Sequence, residues 1–420
     1  MNGVWPVRTN ERERLAIETP AGALSYGELS ARSKAGARAL GVAPGERVAL
    51  ALPAGVDFAV ALHACFTAGA VAVPVDLREP RERWPQAAAV LDRPLHCNGP
   101  AAKPVEIGLD DVAAVIRTSG STGEPQEVPL SFGNFLWSAL GSAVALGLDP
   151  DERWLCTLPL AHVGGLSILM RSWIYGTTAV IHERFETGTV LAALMGQEIT
   201  LVSVVATTLA RLLEAGLERP PWLRCALLGG GPIPPGLVER ASAAGVAVSK
   251  TYGLTEACSQ VASQPPGGGG VAPLFCTRVE IAPDGEILVW GPTVSPAVTQ
   301  PLRTGDLGEI GADGTLHVFG RKADTIISGG ENVAPGQVEA VLETHPAVAE
   351  AGVFGVSDPE WGEAVCAAVV LCAAVGADEL RAHCAARLAG FAVPKRIVVV
   401  EALPRTASGK LARAELAAQL

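Results

Sequence analysis

Along the chain, short runs of consecutive apolar residues alternate with longer segments whose apolar positions return every three or four residues. Runs of the first kind suit buried strands and segments of the second kind suit amphipathic helices, so the alternation predicts an α/β fold with parallel strands. Leu24-Ser25-Tyr26-Gly27-Glu28-Leu29 opens a helix that continues to Leu40, with Ser25 as N-cap and Glu28 three residues on, the pattern of a capping box. Residues 47–53 and 69–75 read as buried strands on either side of an Ala- and Val-rich helix ending at Ala68. Residues 79–111, with prolines, charges and weak periodicity, read as a connection. Helical spacing returns at 132–146, 166–174, 207–216 and 235–245, and strand-like runs at 154–158, 180–181, 199–205 and 227–228.

Beyond these, residues 277–290 are β-rich, and a hairpin is expected around 316–319. The charges from Arg321 to Asp324 then interrupt two β-like runs, which places a domain boundary there and divides 1–321 from 322–420. The second part reads as a compact α+β unit: helix 335–344, strands 350–356 and 363–371, helix 377–388, strand 396–400. Within it, residues 364–376 form the most apolar long run, which falls short of the ~20 residues that span a bilayer and reads as a buried strand or helix.

Composition narrows the class. A chain of 420 residues exceeds what one core usually supports, so two or three domains are expected. Hydrophobic residues make up 49%, and the mean hydropathy of +0.32 leaves ample core for a globular protein. The formal net charge of −11 argues against nucleic-acid or anionic-membrane binding, since either needs a basic surface. Nine cysteines without a C-x-x-C pair suggest neither a zinc site nor a disulfide framework; reduced, buried thiols in a cytoplasmic protein fit better. The N-terminus lacks the apolar core of a signal peptide, and a homodimer is an open assembly.

Candidate chemistry begins at R-T-S-G-S-T-G-E-P-Q, residues 117–126, after the apolar run 112–116. Thr118, Ser119, Ser121 and Thr122 offer hydroxyl donors, while Gly120 and Gly123 let backbone N–H groups surround phosphate oxygens. A hairpin turn would show the same composition. His162 sits at a strand end before paired glycines, where it could line a cleft or serve as a loop histidine. Arg171 is the one cation in an apolar helix, so it either points outward or meets an anion. Gly229-Gly230-Gly231-Pro232 gives bare backbone against which a planar group can lie, or simply a tight βα turn. In Tyr252-Gly253-Leu254-Thr255-Glu256, Glu256 can supply an oxygen to Mg²⁺ where phosphates supply others, or the pair can cap a helix. Asp306 can take two ribose hydroxyls or cap its own turn. Lys410, after a glycine turn, can place a point charge on a transferring group or stay solvated.

The order T-S-G-S-T-G, Y-G-L-T-E, T-G-D, G-R-K-A-D, G-G-E-N-V and P-R-T-A-S-G-K closely resembles the acyl-adenylate-forming family of acyl-CoA synthetases, luciferases and peptide-synthetase adenylation domains, over nearly the whole chain. The resemblance implies a large N-terminal domain of mixed sheets with helices plus a small β subdomain, and a small mobile α+β C-terminal domain. It implies that Thr118, Ser119, Gly120, Ser121, Thr122 and Gly123 hold the β- and γ-phosphates of ATP, and that Gly229 to Pro232 with Tyr252 and Gly253 flank adenine. Thr255 and Glu256 then serve the α-phosphate and Mg²⁺, Asp306 with Arg321 the ribose, and Lys410 bridges substrate carboxylate and α-phosphate. In the family the C-terminal domain turns about a hinge after the G-R motif, which removes the lysine and presents the G-G-E-N-V side for thiol attack.

W-S-A-L-G-S-A, L-P-L-A-H-V-G-G-L-S-I-L-M-R-S-W-I-Y-G-T-T and Y-G-L-T-E-A-C-S-Q are similar, more narrowly, to the family members that join o-succinylbenzoate to CoA in menaquinone biosynthesis. That likeness implies that Arg171 holds a substrate carboxylate, that Ser203 and Thr207 neighbour the acyl pocket, and that His162 packs near the acyl group. Departures are Glu124, Gln126 and Glu127 where the family's loop carries two lysines and a glycine, Ala323 at the usual hinge aspartate with Asp324 beside it, and Pro273 where a serine is common. The expectation is a ligase using ATP, Mg²⁺ and CoA on a small carboxylic acid. Another aryl or acyl acid, or a nucleotide-binding homologue without turnover, are the alternatives.

Overall fold

A computed structural model describes residues 12–97, 99–119, 125–234, 236–404 and 411–418. The chain divides into two compact units, the first built from the chain up to Gly230 with Ala241–Val279 and Val289–Leu302, the second from Gly231–Arg240, Glu280–Leu288 and the chain from Arg303 on.

The first unit contains two sheets. In the smaller, Ala89–Leu91, Arg47–Leu50, Val71–Pro74 and Val112–Ser119 run parallel, and Pro125–Ser131 closes the edge antiparallel to Val112–Ser119. The larger has nine strands, with Leu15–Thr19, Thr178–Ile181, Arg153–Cys156, Leu201–Val204, Cys225–Leu228 and Val248–Leu254 as its parallel centre. Antiparallel strands Gly22–Ser25 at one side and Ser259–Ser263 then Ala272–Pro273 at the other complete it. Parallel strands need helices over their faces, which is why the strand runs are apolar on both sides.

Four helices of this unit pack on these sheets or carry candidate site residues: α1 Tyr26–Leu40, α2 Val56–Ala68, α3 Phe132–Leu146 and α4 Val163–Tyr175. At α1 the Ser25 hydroxyl accepts from the Glu28 N–H at 3.2 Å and the Glu28 carboxylate accepts from the Ser25 N–H at 2.8 Å, the reciprocal capping that the sequence pattern predicts. Helix α3 has a second such box, made by Ser131 and Asn134. Asn134 also donates to the carbonyls of Pro292 and Val294, at 2.8 and 3.0 Å, and so ties the helix start to a distant loop. Phe58, Phe135, Trp154, Leu166 and Met170 pack in one core between sheets and helices.

The second unit has a five-stranded sheet in which Glu331–Val333, Ile326–Ser328, Gly362–Leu371 and Val348–Asp358 are antiparallel and Arg396–Val399 lies parallel to Gly362–Leu371. Helices Pro335–Glu343 and Ala377–Ala385 pack on it around Val338, Leu342, Val353 and Leu380. This unit also holds most of a four-stranded sheet with the hairpin Leu302–Ile310 and Leu316–Arg321.

One sequence expectation changes. The connection 79–111 contains a 3-10 turn, Arg81–Arg83, and the edge strand Ala89–Leu91, both too short to show periodicity. The apolar run 364–376, read as a buried strand or helix, is strand over its first part, within Gly362–Leu371, and helix Ala377–Ala385 follows as expected. Strand Ile326–Ser328 is the β-like run that follows the charges Arg321 to Asp324, whereas helix Thr187–Gly196 and strand Glu331–Val333 have no counterpart among the elements expected from the sequence.

His63 on α2 is buried, with its ring edge-on to Trp173 of α4 at 5.0 Å and to Phe66 at 5.6 Å. Burial among apolar rings lowers its pKa to about 4. The unfolded chain therefore takes up this proton near the ordinary histidine value while the folded protein does not, and stability present above about pH 6.5 is lost as pH falls towards 4. The expected loss from this one group is about 3 kcal/mol, and urea unfolding at pH 7.5, 5.5 and 4.5 should show His63→Leu losing less stability than the wild type over that interval.

Candidate functional site

Trp154 lies on strand Arg153–Cys156, level with Leu201 of the neighbouring strand, so its indole reaches along the sheet face towards Ser203. Its Nε1 donates to the Ser203 hydroxyl at 3.0 Å. Arg171 of α4 lies over the face of the same ring, 5.5 Å from guanidinium carbon to ring centroid. Its Nη2 donates to the Ser138 hydroxyl of α3 at 3.2 Å, and Ser138 in turn donates to the Cys258 carbonyl at 2.7 Å. Arg171 is 2% exposed, and its Nε has no hydrogen-bond partner among the described residues. Among the same residues no carboxylate comes within ion-pair distance of it. Burial pulls its pKa down, because the charged form has lost its water. Tyr175, one turn on, donates to the Ala139 carbonyl, and burial pushes its pKa up to about 12.

Elsewhere in this unit partly buried arginines meet carboxylates. Glu152, 1% exposed, accepts from Arg224 Nε at 3.0 Å, and Arg153 reaches Glu18 at 2.9 Å. Arg171 therefore stands out as a buried cation whose counter-ion is not among these side chains. An anion entering here would meet the Arg171 guanidinium and the Ser203 hydroxyl, which can replace part of the hydration it gives up.

His162 is the N-cap residue of α4 and is exposed, with Arg78 Nη2 at 3.4 Å and Asp76 Oδ2 at 3.9 Å from its Nε2. The Arg78 guanidinium holds the Asp76 carboxyl below the usual carboxylate range. Arg171 lies nine residues on, about 13 Å along the helix, so these two residues stand more than two turns apart on α4 rather than in one cluster. The turn between strand and helix is glycine-dependent, since a Cβ on Gly165 would stand 2.4 Å from the Pro159 carbonyl oxygen. Thr207 is half-buried at the start of helix Ala206–Glu214, four residues beyond Ser203.

Gly229 ends strand Cys225–Leu228 against Thr251, whose Cγ2 would be 2.7 Å from a Cβ there, and Gly230 takes φ +85°. Gly231 and Pro232 are exposed. Tyr252 and Gly253 lie on strand Val248–Leu254, which leads directly into the 3-10 turn Thr255–Ala257. The chain then reverses through Cys258 and Ser259, both at positive φ (52° and 88°) without being glycine. Backbone held in this region costs energy that the surrounding structure must supply, and such positions concentrate at ligand sites. The Glu256 carbonyl accepts from the Ser295 N–H at 2.8 Å, and its carboxylate makes no hydrogen bond or ion pair among the described residues.

Thr118 and Ser119 end strand Val112–Ser119, and the Thr118 hydroxyl donates to the Gln126 carbonyl at 3.4 Å. Gly120, Ser121, Thr122 and Gly123, with Glu124, lie outside the described residues, as does Lys410. Glu127 pairs with Arg47 at 2.7 Å, while Arg117 donates to Glu79 at 3.0 Å and to the Arg83 carbonyl at 2.6 Å.

In the second unit Asp306 and Arg321 face each other across the hairpin, Oδ1 to Nε 3.0 Å, and Asp306 is 6% exposed. Lys322 holds Asp284 at 2.7 Å and Glu286 at 3.0 Å beside them. Asp324 accepts from Arg413 Nη1 at 2.9 Å. Sequence reasoning does not single out Ser138, Trp154, Asp76 or Arg78. Ser138 and Trp154 come from separate elements that only the folded chain joins, and Asp76 and Arg78 lie beside the stretch that reads as a connection.

The model of the family described as AMP-binding enzyme matches residues 5–92 and 82–297, and that of the AMP-binding enzyme C-terminal domain matches 337–410. The 2-succinylbenzoate–CoA ligase of Bacillus subtilis is 37% identical, with 96% of this chain and 95% of the relative covered. That of Bacillus licheniformis is 38% identical, with 90% and 91% covered. Among solved structures, the o-succinylbenzoate CoA synthetase of Bacillus subtilis in complex with the acyl-adenylate intermediate OSB-AMP superposes with a TM-score of 0.82 at 36% identity, covering 97% of this chain and 96% of that one. ATP-bound MatB from Rhodopseudomonas palustris gives 0.88 at 26% identity, covering 98% and 97%.

The strand carrying Tyr252 depends on one glycine. A Cβ on Gly253 would fall 1.6 Å from the Ser259 carbonyl oxygen, which is backbone and cannot step aside. Gly253→Ala should therefore lower stability by about 3 kcal/mol or more, read as a shift of the urea midpoint, whereas Gly188→Ala, with open space around its Cβ, should stay within about 0.5 kcal/mol.

Proposed function

The chain belongs to the AMP-binding enzyme family, and we propose that it activates 2-succinylbenzoate with ATP and passes the acyl group to CoA. The observation that carries this substrate is Arg171, a buried guanidinium with no carboxylate partner among the described residues. A dicarboxylic acid answers it: one carboxylate reacts, and the other pairs with Arg171 beside Ser203. Thr207 borders the same pocket, and His162 faces the acyl group from the exposed end of α4. The relatives' names and the bound OSB-AMP of the Bacillus subtilis structure support the same acid.

The proposed reaction has two steps. A carboxylate oxygen attacks the α-phosphorus of ATP, the bond to the bridging oxygen breaks, and pyrophosphate leaves. The CoA sulfur then attacks the acyl carbonyl, its proton goes to solvent, and AMP leaves. The first step brings two anions together, so positive charge at the site lowers its barrier.

We assign Thr118 to Gly123 to the β- and γ-phosphates, Gly229 to Pro232 with Tyr252 and Gly253 to adenine, and Asp306, oriented by Arg321, to the ribose. Thr255 and Glu256 take the α-phosphate and Mg²⁺. Among the described residues no three His, Cys, Asp or Glu side chains gather as metal ligands, and one uncommitted carboxylate suits an ion that draws its other oxygens from phosphate and water. When bound, Mg²⁺ offsets phosphate charge and orients the leaving group. Lys410 bridges the reacting carboxylate and the α-phosphate. Residues 322–420 form the mobile domain that exchanges the two half-reactions. No helix among the described residues is long and apolar enough to cross a membrane, and nine free thiols favour the cytoplasm as the compartment.

Pyrophosphate release tests the substrate, using 2-succinylbenzoate and two analogues that each lack one of its carboxylates. Release with 2-succinylbenzoate at the highest kcat/KM is expected; release with other benzoates alone would remove this acid, and none with any acid would remove the ligase. Arg171→Ala should raise KM for 2-succinylbenzoate at least about tenfold relative to the monocarboxylate that is turned over. Lys410→Ala should abolish acyl-adenylate formation yet leave CoA attack on supplied acyl-adenylate within about threefold of wild type, a split that loss of fold would not produce.

A further inference from the structure

Trp154 is the largest fully buried side chain among the described residues, and it touches both Arg171 and Ser203. A phenylalanine or leucine would fill the same core without demanding a hydrogen bond, whereas a buried indole N–H requires an acceptor. Here the acceptor is the hydroxyl of Ser203, a residue only 5% exposed. An indole N–H can only donate, so Ser203 must receive on its oxygen and send its own proton elsewhere. That proton makes no hydrogen bond to an acceptor among the described residues.

Ser138 is set the opposite way. Its proton goes to the Cys258 carbonyl at 2.7 Å, which leaves a lone pair for Arg171 Nη2 at 3.2 Å. Arg171 is thus steadied by Ser138 on one side and by the Trp154 ring on the other, where the π-face favours the cation. The two serines are polarised in opposite senses: Ser138 receives from the arginine, and Ser203, bonded to the indole that Arg171 overlies, is left to donate. An anion in contact with both Arg171 and Ser203 meets donors only.

We propose that Trp154 is a positioning residue for dicarboxylate selectivity, holding Ser203 as a hydrogen-bond donor and Arg171 in place for the carboxylate that does not react. This rests on the substrate being a dicarboxylic acid. Trp154 acts through Ser203 and touches no reacting atom, so its effect falls on KM for the dicarboxylate rather than on kcat.

The test is the ratio of kcat/KM for 2-succinylbenzoate to that for the monocarboxylate analogue, measured by pyrophosphate release in the full chain. Trp154→Phe should lower the ratio about tenfold, Ser203→Ala by a similar factor, and the double variant no more than about twofold beyond either single change, because both remove one interaction. A hundredfold fall in the double variant would mean independent roles and overturn the inference, as would an unchanged ratio in Trp154→Phe. Benzothienylalanine at position 154 keeps the bicyclic shape and replaces the N–H with sulfur. It should reproduce the tenfold fall even if Trp154→Phe does not fold, and a wild-type ratio there would also overturn the inference. A wild-type enzyme with no preference for the dicarboxylate would remove the substrate reading itself; a wild type that prefers it, with variants that keep the preference, would remove only the role of Trp154.

Discussion

A positive charge buried without a counter-ion is expensive, and the first unit is arranged around one. Arg171 has left water, its burial disfavours the charged form, and the compensation within reach is one serine oxygen and one aromatic face. A cation–π contact in a dry site is worth about 2 kcal/mol and a hydrogen bond from a charged group about 1.5–3 kcal/mol, short of what a carboxylate partner would return. Glu152 with Arg224, in the same unit, shows the ordinary solution: a buried charge answered by a side chain of the chain itself. Arg224 has a carboxylate of its own chain, whereas Arg171 has none among the described residues. In the proposed function Arg171 is held for an anion at a cost in the protein's own stability, as functional sites commonly do.

The same trade runs through the backbone. Gly253, Gly229 and Gly165 are places where one chain segment lies so close to another that no side chain fits, and Cys258 and Ser259 turn through positive φ although neither is glycine. The turn after Thr255–Ala257 therefore brings the Cys258 carbonyl to Ser138 at 2.7 Å, and Ser138 to Arg171. The Y-G-L-T-E stretch is consequently tied to the proposed acid site: the turn that follows Glu256 also seats the residue that steadies Arg171. In the proposed reaction, nucleotide and acid groups are thus positioned by elements that hydrogen bonds join rather than by independent loops.

Much of this was legible in the sequence, for physical reasons that differ by element. Helix α1 was readable because Ser25 and Glu28 form a local capping box, and α3 because fifteen residues of helical spacing are bounded by glycine. The parallel strands were readable as uninterrupted apolar runs. Strand Ala89–Leu91 was not, since three residues carry no period, and helix Thr187–Gly196 has apolar residues on too many sides to announce a face. For the site, motif order could nominate Arg171 and Asp306, and chemistry could say that a lone cation in an apolar helix must point outward or meet an anion. That Arg171 points inward, over Trp154 and onto Ser138, depends on the packing of three elements far apart in sequence. Hydrogen-bond direction is still less local: nothing in the strand containing Trp154 says that its N–H will fix the proton of Ser203.

The phosphate-loop region poses a separate question of charge. Where the family carries lysines this chain has Glu124 and Gln126, followed by Glu127, and a nearby arginine could in principle compensate. Arg117 does not, because Glu79 and the Arg83 carbonyl already hold its guanidinium. Arg47 takes up Glu127 in a half-exposed pair, which cancels one negative charge locally but places none in excess. The side chains around the described part of the loop therefore sum to nearly neutral rather than cationic. In the proposed adenylation, grip on the β- and γ-phosphates then falls to backbone N–H groups and hydroxyls, which bind by geometry, while the charge that must peak at the α-phosphate falls to Mg²⁺ and Lys410. A grip of that kind holds nucleotide less tightly in the ground state than a lysine-rich loop would, yet need not weaken the transition state, because the groups that meet the developing charge lie elsewhere in the chain.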